Sequence, residues 1–498
     1  MKDRKIILVL DVGATNVRSV AVSDDGVLLA IESLKNTTSP DLYYPDGMVW
    51  DLDLVWEKLK STTAGVLKQI DKKQLAAVTV TSFGVDGAPL TKDGDLAYPV
   101  ISWQCQRTVP VMNNIDKYIP LAELYSINGL QPFSFNTINK LIWLRENRRE
   151  VLDRAHRFLF FPSLILHRMT GEMVNDTSMA GTSMLTRLTD RKYSERILNA
   201  IGVNKDLFPP AAEPGTKIGH VTGKASLETG IPAGLPAVVT GHDTQFAVFG
   251  SGARENEPVL SSGTWDILMV RSRHFLTNDY TLKQKVTTEL DPVPGLYNIG
   301  VQWIASGMLE WIMRMFWAAE CGTNDVYEQM ISLAEKVPAG SNGVTIHPSF
   351  FPEPGSNNKG AILGLLLNTP REEIYRAAVE SLAYRTRQGL EVLQNAGMFR
   401  AGAAICVGGG SKNRLLNQVR ADVLGIPLKL VDQKETTVLG AAMFALTAMG
   451  VYASTDEARD AMITPYHIVN PSGEKLYEDL YTQFHEMTAL FTGGTAHA

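Results

Sequence analysis

Cysteine is scarce in this chain, and its few positions exclude two common ways of stabilising a fold. Three cysteines occur among 498 residues, at Cys105, Cys321 and Cys406, with no Cys-x-x-Cys spacing. An odd number of widely separated thiols argues against a disulfide framework and against a zinc site. The pattern is typical of a protein in a reducing compartment, and we expect this one in the cytoplasm.

The sequence also lacks long apolar runs and blocks of like charge. The first apolar run, 6–10, ends at Asp11 and is too short for a signal peptide or a membrane span. No stretch approaches the ~20 apolar residues that a transmembrane helix needs. The formal net charge is -6 and no basic tract stands out. We therefore expect neither a membrane nor a nucleic acid as a partner, and the sequence is compatible with a monomer or a homo-oligomer.

Three familiar catalytic signatures are missing. The nearest approach to a Walker A loop, 221–226, lacks the upstream glycine and has alanine after its lysine. Gly-x-Ser-x-Gly and His-Glu-x-x-His are absent as well, which disfavours a serine hydrolase and a zinc protease. Any nucleotide chemistry must therefore use another phosphate-binding arrangement.

What the sequence does contain is one local pattern that occurs twice. A β-rich apolar segment over 6–22 is interrupted by the small-residue turn 11–16, and a second one over 259–270 is interrupted by 261–264. Each pattern predicts a β-hairpin whose tight turn presents backbone N–H groups. The repetition predicts a duplicated lobe.

The length of the chain supports this division. A chain of 498 residues is longer than one hydrophobic core usually serves. Gly250, Ser251 and Gly252 offer a natural hinge between the two hairpin-led halves. We therefore predict two domains, 1–250 and 251–498.

Helical and strand-like segments alternate around the hairpins. The patterns predict helices over 53–68 and 135–147 and strands over 77–83 and 403–407. This alternation predicts an α/β fold with helices packed on mixed sheets. A further helix start is indicated at 369–372, which fits a capping box with proline at the first helical position.

The two predicted turns carry residues that suit a phosphate. Gly13 allows a ligand to approach the backbone closely, and Thr15 adds a hydroxyl donor. Asp11 would be repelled by phosphate and better suits Mg²⁺ held through water. Thr264 repeats the hydroxyl in the second turn. Each turn alone also fits an ordinary Asp/Gly/Asn turn, and only the pair favours a nucleotide.

A run of glycines, 408–410, follows a predicted buried strand and precedes a predicted helix over 412–424. Three glycines would let a flat adenine or ribose lie against the backbone, with Asn413 in hydrogen-bonding reach. The spacing is wrong for Gly-x-Gly-x-x-Gly, which excludes a Rossmann site. The alternative is a tightly packed strand–helix turn, although a single glycine usually suffices there.

Asp243 follows directly on the strand-like residues 237–240. A carboxylate at a strand end is well placed to accept a hydroxyl proton during phosphoryl transfer. His242 and Gln245 could then bind sugar hydroxyls. Asp243 fits equally well as the cap of the helix that follows, so the residue type leaves both roles open.

Trp103 and Arg107 offer an indole ring and a guanidinium close together in the sequence. Sugars commonly stack an apolar face on a ring while charged groups bind their hydroxyls. A partly buried tryptophan with a surface arginine is an equally good interpretation.

Taken together, these motifs resemble the FGGY carbohydrate kinases. The family's first signature is met by 135–147, and its second-half signature resembles segments within 408–422 and 435–442. The resemblance extends over nearly the whole chain. It implies two actin/hexokinase-like (ribonuclease H-like) lobes with an active-site cleft between them, the first binding sugar and phosphate and the second adenosine.

The resemblance also implies roles for single residues, with Asp243 as the catalytic proton acceptor. Together with the candidates above, the predicted sugar-binding residues are Gly84, Asp86, Trp103, Arg107, His242, Asp243, Gln245 and Asn298. The predicted residues for ATP are Asp11, Gly13, Ala14, Thr15, Asn16, Thr264, Gly307, Gly409, Gly410 and Asn413. Asp11 would also hold Mg²⁺ through water.

Within the family, one ketose is favoured. The matching segments imply ATP-dependent phosphorylation of the C1 hydroxyl of L-fuculose in L-fucose catabolism, and they are 13–18, 83–88, 101–103, 241–246 and 256–265. Glycerol kinases have Arg-Glu where this chain has Gly84 and Val85, which disfavours glycerol.

Other ligands remain as alternatives. Rhamnulokinases share the residues at 84–86 and 242–244 but differ at 87–88 and 245–246, which places L-rhamnulose second and xylulose or ribulose after it. A non-catalytic sensor on the same fold is disfavoured because Asp11, Thr15, Asp243 and Thr264 are all intact.

Overall fold

The computed structural model describes residues 4–322, 325–351, 359–431, 435–462, 465–473 and 475–491. The strands of this described part, in chain order, are β1 (Ile6–Val12), β2 (Asn16–Ser23), β3 (Leu28–Lys35), β4 (Ser39–Pro40), β5 (Met48–Trp50), β6 (Leu75–Ser82), β7 (Gly87–Leu90), β8 (Val100–Ile101), β9 (Arg157–Phe160), β10 (Asn175–Asp176), β11 (Ala211–Ala212), β12 (Lys217–His220), β13 (Pro236–His242), β14 (Val259–Ser262), β15 (Trp265–Ser272), β16 (Thr287–Leu290), β17 (Tyr297–Ile304), β18 (Thr345–His347), β19 (Ala361–Leu363), β20 (Ala404–Val407), β21 (Leu428–Val431) and β22 (Tyr466–Val469).

The α-helices of the same part are α1 (Leu52–Leu67), α2 (Val109–Met112), α3 (Leu121–Asn128), α4 (Thr137–Asn147), α5 (Arg149–Arg154), α6 (Phe161–Thr170), α7 (Thr177–Thr182), α8 (Glu195–Ile201), α9 (Gly223–Thr229), α10 (Asp243–Gly250), α11 (Asp279–Lys283), α12 (Ser306–Phe316), α13 (Val326–Ala334), α14 (Arg371–Gly397), α15 (Arg414–Leu424), α16 (Thr436–Ala448), α17 (Thr455–Ala461) and α18 (Leu476–Phe491). Among the described residues, no helix is both long enough and apolar enough to cross a membrane.

Two compact units divide the chain, and each consists of several chain segments. Unit 1 comprises Met1–Gly252, Ser272–Ile299 and Glu435–Ile463, and unit 2 comprises Ala253–Arg271, Gly300–Lys434 and Thr464–Ala498. The first segment of unit 1 ends near the predicted hinge, but two later segments return to this unit. The compact units therefore differ in composition from the predicted domains 1–250 and 251–498, whose ligand roles stay predictions.

Unit 1 is built on a mixed sheet with the strand order β12-β13-β6-β1-β2-β3. The hairpin β1–β2 is antiparallel, with Asp11 opposite Arg18 near the turn, and β6 pairs with β1 in parallel. Strand β13 is parallel to β6. Because parallel strands end at the same edge of a sheet, the residues that follow β1, β6 and β13 are brought to one edge.

The first strand shows why its sequence is apolar throughout. All seven residues of β1 are buried. Ile6, Leu8 and Leu10 belong to one hydrophobic cluster, and the alternating Ile7 and Val9 belong to another on the opposite face. A strand with both faces covered needs apolar side chains on both, so no polar alternation appears in the sequence.

Two helices of unit 1 approach each other closely through glycines. A Cβ atom at Gly250 of α10 would collide with the backbone carbonyl of Thr436 in α16, and one at Gly440 would collide with that of Phe246. The close crossing fixes the direction of α10, whose first residue is Asp243. The packing of these helices therefore positions the predicted catalytic residue.

Unit 2 repeats the same sheet topology. The second hairpin belongs to a seven-stranded sheet with the order β16-β17-β15-β14-β20-β21-β22, and the last six of these strands repeat the order found in unit 1. The hairpin β14–β15 is antiparallel, β20 is parallel to β14, and β21 is parallel to β20. Both hairpins and the α/β fold with mixed sheets are thus confirmed, and the duplication is visible strand by strand.

One predicted detail is wrong. The long helix α14 begins at Arg371, with Pro370 as its N-cap residue in an extended conformation and no side-chain cap hydrogen bond. Thr369 instead uses its hydroxyl to accept from the amide of Leu366. The capping box predicted at 369–372 does not form because the threonine closes the preceding turn.

Candidate active site

Asp243 is the first residue of α10, directly after β13. Its Oδ1 accepts hydrogen bonds from the backbone N–H of Thr244 at 2.6 Å and from the Thr244 hydroxyl at 3.2 Å. The side chain keeps 30% of its surface exposed. Asp243 is therefore a helical residue and not the cap: the N-cap residue of α10 is His242, and the helix has no side-chain cap hydrogen bond. The capping interpretation is wrong, and Asp243 presents its carboxylate to solvent.

Burial raises the pKa of Asp243, and the neighbouring His242 and the Thr244 donors oppose that rise. A carboxylate with a raised pKa holds a proton more firmly, which suits a group that must take one from a hydroxyl. The environment therefore favours Asp243 as a proton acceptor.

The ring of His242 lies between two carboxylates. Its Nε2 is 3.5 Å from Asp243 Oδ1, and its Nδ1 is 3.3 Å from Glu289 Oε2 on β16. Burial lowers the pKa of His242, but Glu289, Asp243 and Asp176 outweigh it and leave the pKa raised. The imidazole therefore tends to carry a proton beside Asp243.

Gly84 lies against this ring. A Cβ atom at position 84 would be 2.8 Å from His242 Nε2, which is too close for any side chain without a shift of the ring. The next residue, Val85, has φ of 66°, a strained value for a β-branched residue. Thr182 and Thr137 hold it through hydrogen bonds to its N–H and C=O at 3.0 and 2.7 Å. The strain and its two anchors fix the Gly84 backbone beside His242.

A chain of side-chain hydrogen bonds extends from Glu289. Gln245 donates from Nε2 to Glu289 Oε2, and Asn298 donates from Nδ2 to Gln245 Oε1. Gln245 and Asn298 are fully buried. Three of the predicted sugar-binding residues, His242, Gln245 and Asn298, are thus brought together around a glutamate that the sequence did not suggest.

Asp176 is connected to the backbone of His242 through Ser178. It accepts hydrogen bonds from the Ser178 hydroxyl at 2.6 Å and the Met179 amide at 2.8 Å, and Ser178 in turn accepts from the backbone N–H of His242 at 3.0 Å. Burial raises the pKa of Asp176 to about 6. Gly241 leaves room for both Asp176 and Ser178, because a Cβ there would collide with their side chains.

Asp11 lies at the end of β1 and is paired with Arg18. Arg18 donates to Asp11 Oδ2 from both Nε, at 2.9 Å, and Nη2. Its Nη1 donates to Glu435 Oε2 at 2.6 Å. Burial raises the pKa of Asp11 to about 6 against the effect of Arg18, and the negative charges of Asp243 and Glu435 add to the rise. The charge of Asp243 thus contributes to the raised pKa of Asp11.

The turn after β1 is tight and open to solvent. Gly13 donates its N–H to the carbonyl of Asn16 at 2.8 Å, and Asn36 donates its side-chain amide to the carbonyl of Gly13 at 2.9 Å. Thr15 and Asn16 are exposed, and Gly13 and Ala14 are half-buried. The four residues form an ordered turn with an accessible hydroxyl, as a phosphate site requires.

The corresponding turn of unit 2 is held by the start of α12. Thr264 is exposed, and its carbonyl accepts from the N–H groups of Ala305 at 2.9 Å and Gly307 at 3.4 Å. A Cβ at Gly307 would lie 3.4 Å from the Thr264 methyl group. The two predicted nucleotide residues of this region are therefore neighbours.

The glycine run after β20 has two different surroundings. Gly408 has φ of 90° and, like Gly410, packs against Ser262, whereas a Cβ at Gly409 would meet none of the described residues within 4 Å. Asn413 caps α15 by accepting from the Leu416 amide at 3.1 Å and donates to the Tyr375 hydroxyl at 3.0 Å. Gly409 is thus open to a ligand, whereas the Asn413 side chain is engaged in hydrogen bonds within the protein. Helix α15 begins two residues later than predicted.

Asp86 is fully buried and saturated by protein donors. Lys140 forms a buried ion pair with Oδ1, and Oδ2 accepts from Trp50 Nε1 at 2.6 Å and from the Trp103 amide at 3.0 Å. Asp86 therefore holds the Trp103 backbone in place. The indole Nε1 of Trp103 is buried and has no hydrogen-bond partner among the described residues.

Arg107 lies inside the protein, where the sequence allowed a surface position. Its guanidinium pairs with Asp41 at 2.7 Å, donates from Nε to Cys105 Sγ at 3.1 Å, and stacks over the rings of Tyr44 and Trp143. These contacts occupy the guanidinium with protein groups. Arg107 is therefore part of the packed interior and not of the surface.

Sequence reasoning missed several residues of this site. Glu289 and Asp176 had no assigned role, and Arg18, Lys140 and Glu435 appeared only within family segments. The available signal was a lysine among apolar neighbours, since Lys140 of α4 lies between Ile138 and Leu141.

Comparisons with known proteins show the family and the fold. Residues 6–250 match the N-terminal domain, and residues 259–449 the C-terminal domain, of the FGGY family of carbohydrate kinases. The L-fuculokinase of Escherichia coli (strain K12) is 42% identical over 471 residues, which cover 95% of this chain and 98% of that protein. The L-fuculokinase of Haemophilus influenzae is 40% identical over 463 residues, which cover 92% and 97%. Among solved structures, the xylulose kinase of Rhodospirillum rubrum matches with a TM-score of 0.88 at 22% identity, covering 98% of this chain and 99% of that one, which shows the shared fold.

Proposed function

The chain belongs to the FGGY family of carbohydrate kinases, and we propose that it transfers the γ-phosphoryl group of ATP to the C1 hydroxyl of L-fuculose. The observation that carries the choice of sugar is the 42% identity to an L-fuculokinase over 95% of the chain. The product would be L-fuculose 1-phosphate. We place the reaction in the cytoplasm, in keeping with the free thiols of Cys105, Cys321 and Cys406.

Asp243 is the proposed catalytic base. It would accept the proton of the C1 hydroxyl as the oxygen attacks the γ-phosphorus, the role that positioned carboxylates have in kinases. General-base help of this kind is worth about 10²–10⁴-fold in rate. The ring of His242 beside it, when protonated, would offset the negative charge that gathers around the attacking oxygen.

The proposed sugar pocket surrounds this base. Gly84 supplies a backbone surface beside His242, and Gln245 and Asn298 supply amides. The indole N–H of Trp103, which has no partner in the described part of the chain, would supply a donor, and its ring would supply an apolar face. Asp86 and Arg107 serve this pocket through protein contacts, by holding the Trp103 segment.

The proposed nucleotide residues lie in both units. In unit 1 the turn of Gly13, Ala14, Thr15 and Asn16 would bind phosphate oxygens through its N–H groups and the Thr15 hydroxyl. In unit 2 the corresponding residues would be Thr264 and Gly307 for phosphate, with Gly409, Gly410 and Asn413 for adenosine. Gly409 fits adenosine best because no atom of the residues that the structure describes lies within 4 Å of its Cβ position.

Asp11 is the proposed anchor for Mg²⁺, which would neutralise charge on the phosphates when bound. The described residues contain no group of three or more acidic, histidine or cysteine side chains arranged for a metal ion. A magnesium ion that accompanies ATP needs only one or two carboxylates, because phosphate oxygens and waters complete its shell. Both contacts from Arg18 go to Oδ2 of Asp11, so the residue fits an ion held through water.

A coupled ADP-release assay across a panel of ketoses tests the proposal. We expect the highest kcat/KM for L-fuculose, with L-rhamnulose, D-xylulose and L-ribulose well below it. A higher kcat/KM for another ketose would overturn the proposed sugar but keep the kinase assignment, and the absence of sugar-dependent ADP release with every ketose would overturn both.

A further inference from the structure

Glu289 ends a chain of two buried amides in unit 1. Its Oε2 accepts from Gln245 Nε2, and Gln245 Oε1 accepts from Asn298 Nδ2. The ring Nδ1 of His242 approaches the same glutamate oxygen at 3.3 Å. Gln245 and Asn298 are fully buried, and 14% of the Glu289 side chain is exposed. Glu289, the charged residue, therefore lies at the more accessible end of this series of hydrogen bonds.

The carboxylate gives this chain a fixed direction. An amide can turn either its oxygen or its NH₂ group toward a neighbour, but a carboxylate only accepts hydrogen bonds. Glu289 therefore requires the NH₂ group of Gln245, whose oxygen then requires the NH₂ group of Asn298. Asn298 Oδ1 therefore lies at the end of the hydrogen-bond series that is opposite Glu289.

That last oxygen is an unused acceptor. Asn298 Oδ1 is buried and has no hydrogen-bond partner within the part of the chain that the structure describes. A buried polar atom without a partner is costly and rare in folded proteins, so such an atom in a binding pocket indicates a ligand group of matching chemistry. The matching group for an acceptor is a hydroxyl that donates.

We propose that Glu289 is a positioning residue that orients Gln245 and Asn298, so that Asn298 Oδ1 accepts a hydrogen bond from a ketose hydroxyl other than that at C1. This inference rests on the proposed function and adds to it a reason for discrimination. A hydroxyl can donate to Asn298 Oδ1, whereas a carbonyl, an ether oxygen or a fluorine cannot. Glu289 would thereby select substrates without touching them.

Glu289→Gln tests this role with almost no change of shape. A glutamine at 289 can offer either an oxygen or an NH₂ group, so the direction of the amide chain is no longer imposed. We expect the Kd for L-fuculose, measured by calorimetry without nucleotide, and its KM to rise at least about tenfold. We expect kcat to fall less than KM rises, and the KM for MgATP and the melting temperature to stay near wild type.

Glu228→Gln is the matched control. Glu228 is also a half-buried carboxylate of unit 1 and accepts one side-chain N–H, that of Trp56 at 2.7 Å. It takes no part in the proposed site, so its variant should bind L-fuculose as wild type does. An equal loss in both variants would reduce the effect to a general consequence of removing a carboxylate and would overturn the proposal.

Fluorinated substrates provide a second measurement, whose first part uses wild type alone. Analogues of L-fuculose with one hydroxyl other than C1 replaced by fluorine should include one that binds wild type at least about tenfold more weakly. The same analogue should lose much less against Glu289→Gln. Equal losses in the two proteins, or wild-type affinity of Glu289→Gln for L-fuculose, would overturn the inference.

Failure of the proposed function would be recognised separately. If wild type prefers another ketose in the panel, the same variants and the analogues of that ketose decide the role of Glu289. If wild type phosphorylates no ketose, both the proposed function and this inference fall. A wild type active on L-fuculose with an unaffected Glu289→Gln variant would overturn the inference alone.

Discussion

The two hairpins that open the two sheets have the same topology but use a buried aspartate in different ways. In unit 1, Asp11 pairs with Arg18, which is 25% exposed and also binds Glu435. In unit 2, Asp266 pairs with Arg420, and both side chains are fully buried. The Asp11–Arg18 pair is partly exposed and has further carboxylates near it, whereas the Asp266–Arg420 pair is buried in the core.

The surroundings explain the difference. Asp266 also accepts from the Ser262 hydroxyl at 2.8 Å, and Ser262 is the residue against which Gly408 and Gly410 pack. The pair in unit 2 therefore holds the glycine run in shape. Burial raises the pKa of Asp11, and the negative charges of Asp243 and Glu435 add to that rise. The same negative charges would favour a cation beside Asp11. The two hairpins thus share their topology, while the buried pair of unit 2 is structural and the partly exposed pair of unit 1 is the one to which we assign charge chemistry.

Asp11→Asn should have the largest effect of the substitutions that test this comparison. Loss of the carboxylate would weaken the hold on Mg²⁺, and we expect kcat/KM for MgATP to fall by about 10²-fold or more. The free energy of unfolding should change little, because Arg18 is partly solvated and keeps Glu435. Steady-state kinetics at several Mg²⁺ concentrations, with urea unfolding alongside, would measure both. Unchanged Mg²⁺ dependence would contradict the assignment.

Asp266→Asn should show the opposite balance. The variant leaves the buried guanidinium of Arg420 without its carboxylate, which typically costs about 3–5 kcal/mol in unfolding free energy. Turnover at low temperature should stay close to wild type as long as the fold persists. Urea unfolding and an activity assay at the same temperature test this. A stable but inactive variant would place Asp266 in the chemistry and end the contrast between the hairpins.

Asp176 extends the comparison to a buried carboxyl whose hydrogen bonds come from a hydroxyl and an amide. Its folded pKa of about 6 lies above the value of an unfolded chain. The folded state therefore binds an extra proton at mildly acidic pH, and this contribution to stability is lost as pH rises through 6. Between pH 5 and pH 8, the stability of wild type relative to Asp176→Asn should fall by about 1.4 kcal/mol. A difference that is constant across this range would show that Asp176 does not titrate there.

Local patterns were sufficient to predict the scaffold. The hairpins at 6–22 and 259–270 and the helices at 53–68 and 135–147 depend on neighbours within a few residues, and the structure has them within two residues of the predicted ends. The capping box at 369–372 was wrong because Thr369 has a competing local use. Local chemistry thus predicts elements well and their exact ends less well.

The environment of the site was less predictable because it depends on residues far apart in the sequence. Glu289 meets His242 and Gln245 only after the chain has folded, and Glu435 reaches Arg18 across 417 positions. Arg107 was expected at a sugar but is enclosed by Asp41 and aromatic rings. The identity of candidate residues can be read from a sequence, whereas their partners and burial require the fold.

The proton transfer to Asp243 is the central claim, and Asp243→Asn tests it most directly. The variant keeps the size of the side chain and its hydrogen bonds from Thr244 while it removes the proton acceptor. We predict a loss of kcat of about 10²–10⁴-fold, with the melting temperature and the calorimetric affinities for MgATP and L-fuculose close to wild type. Near-normal kcat in this variant would contradict the account.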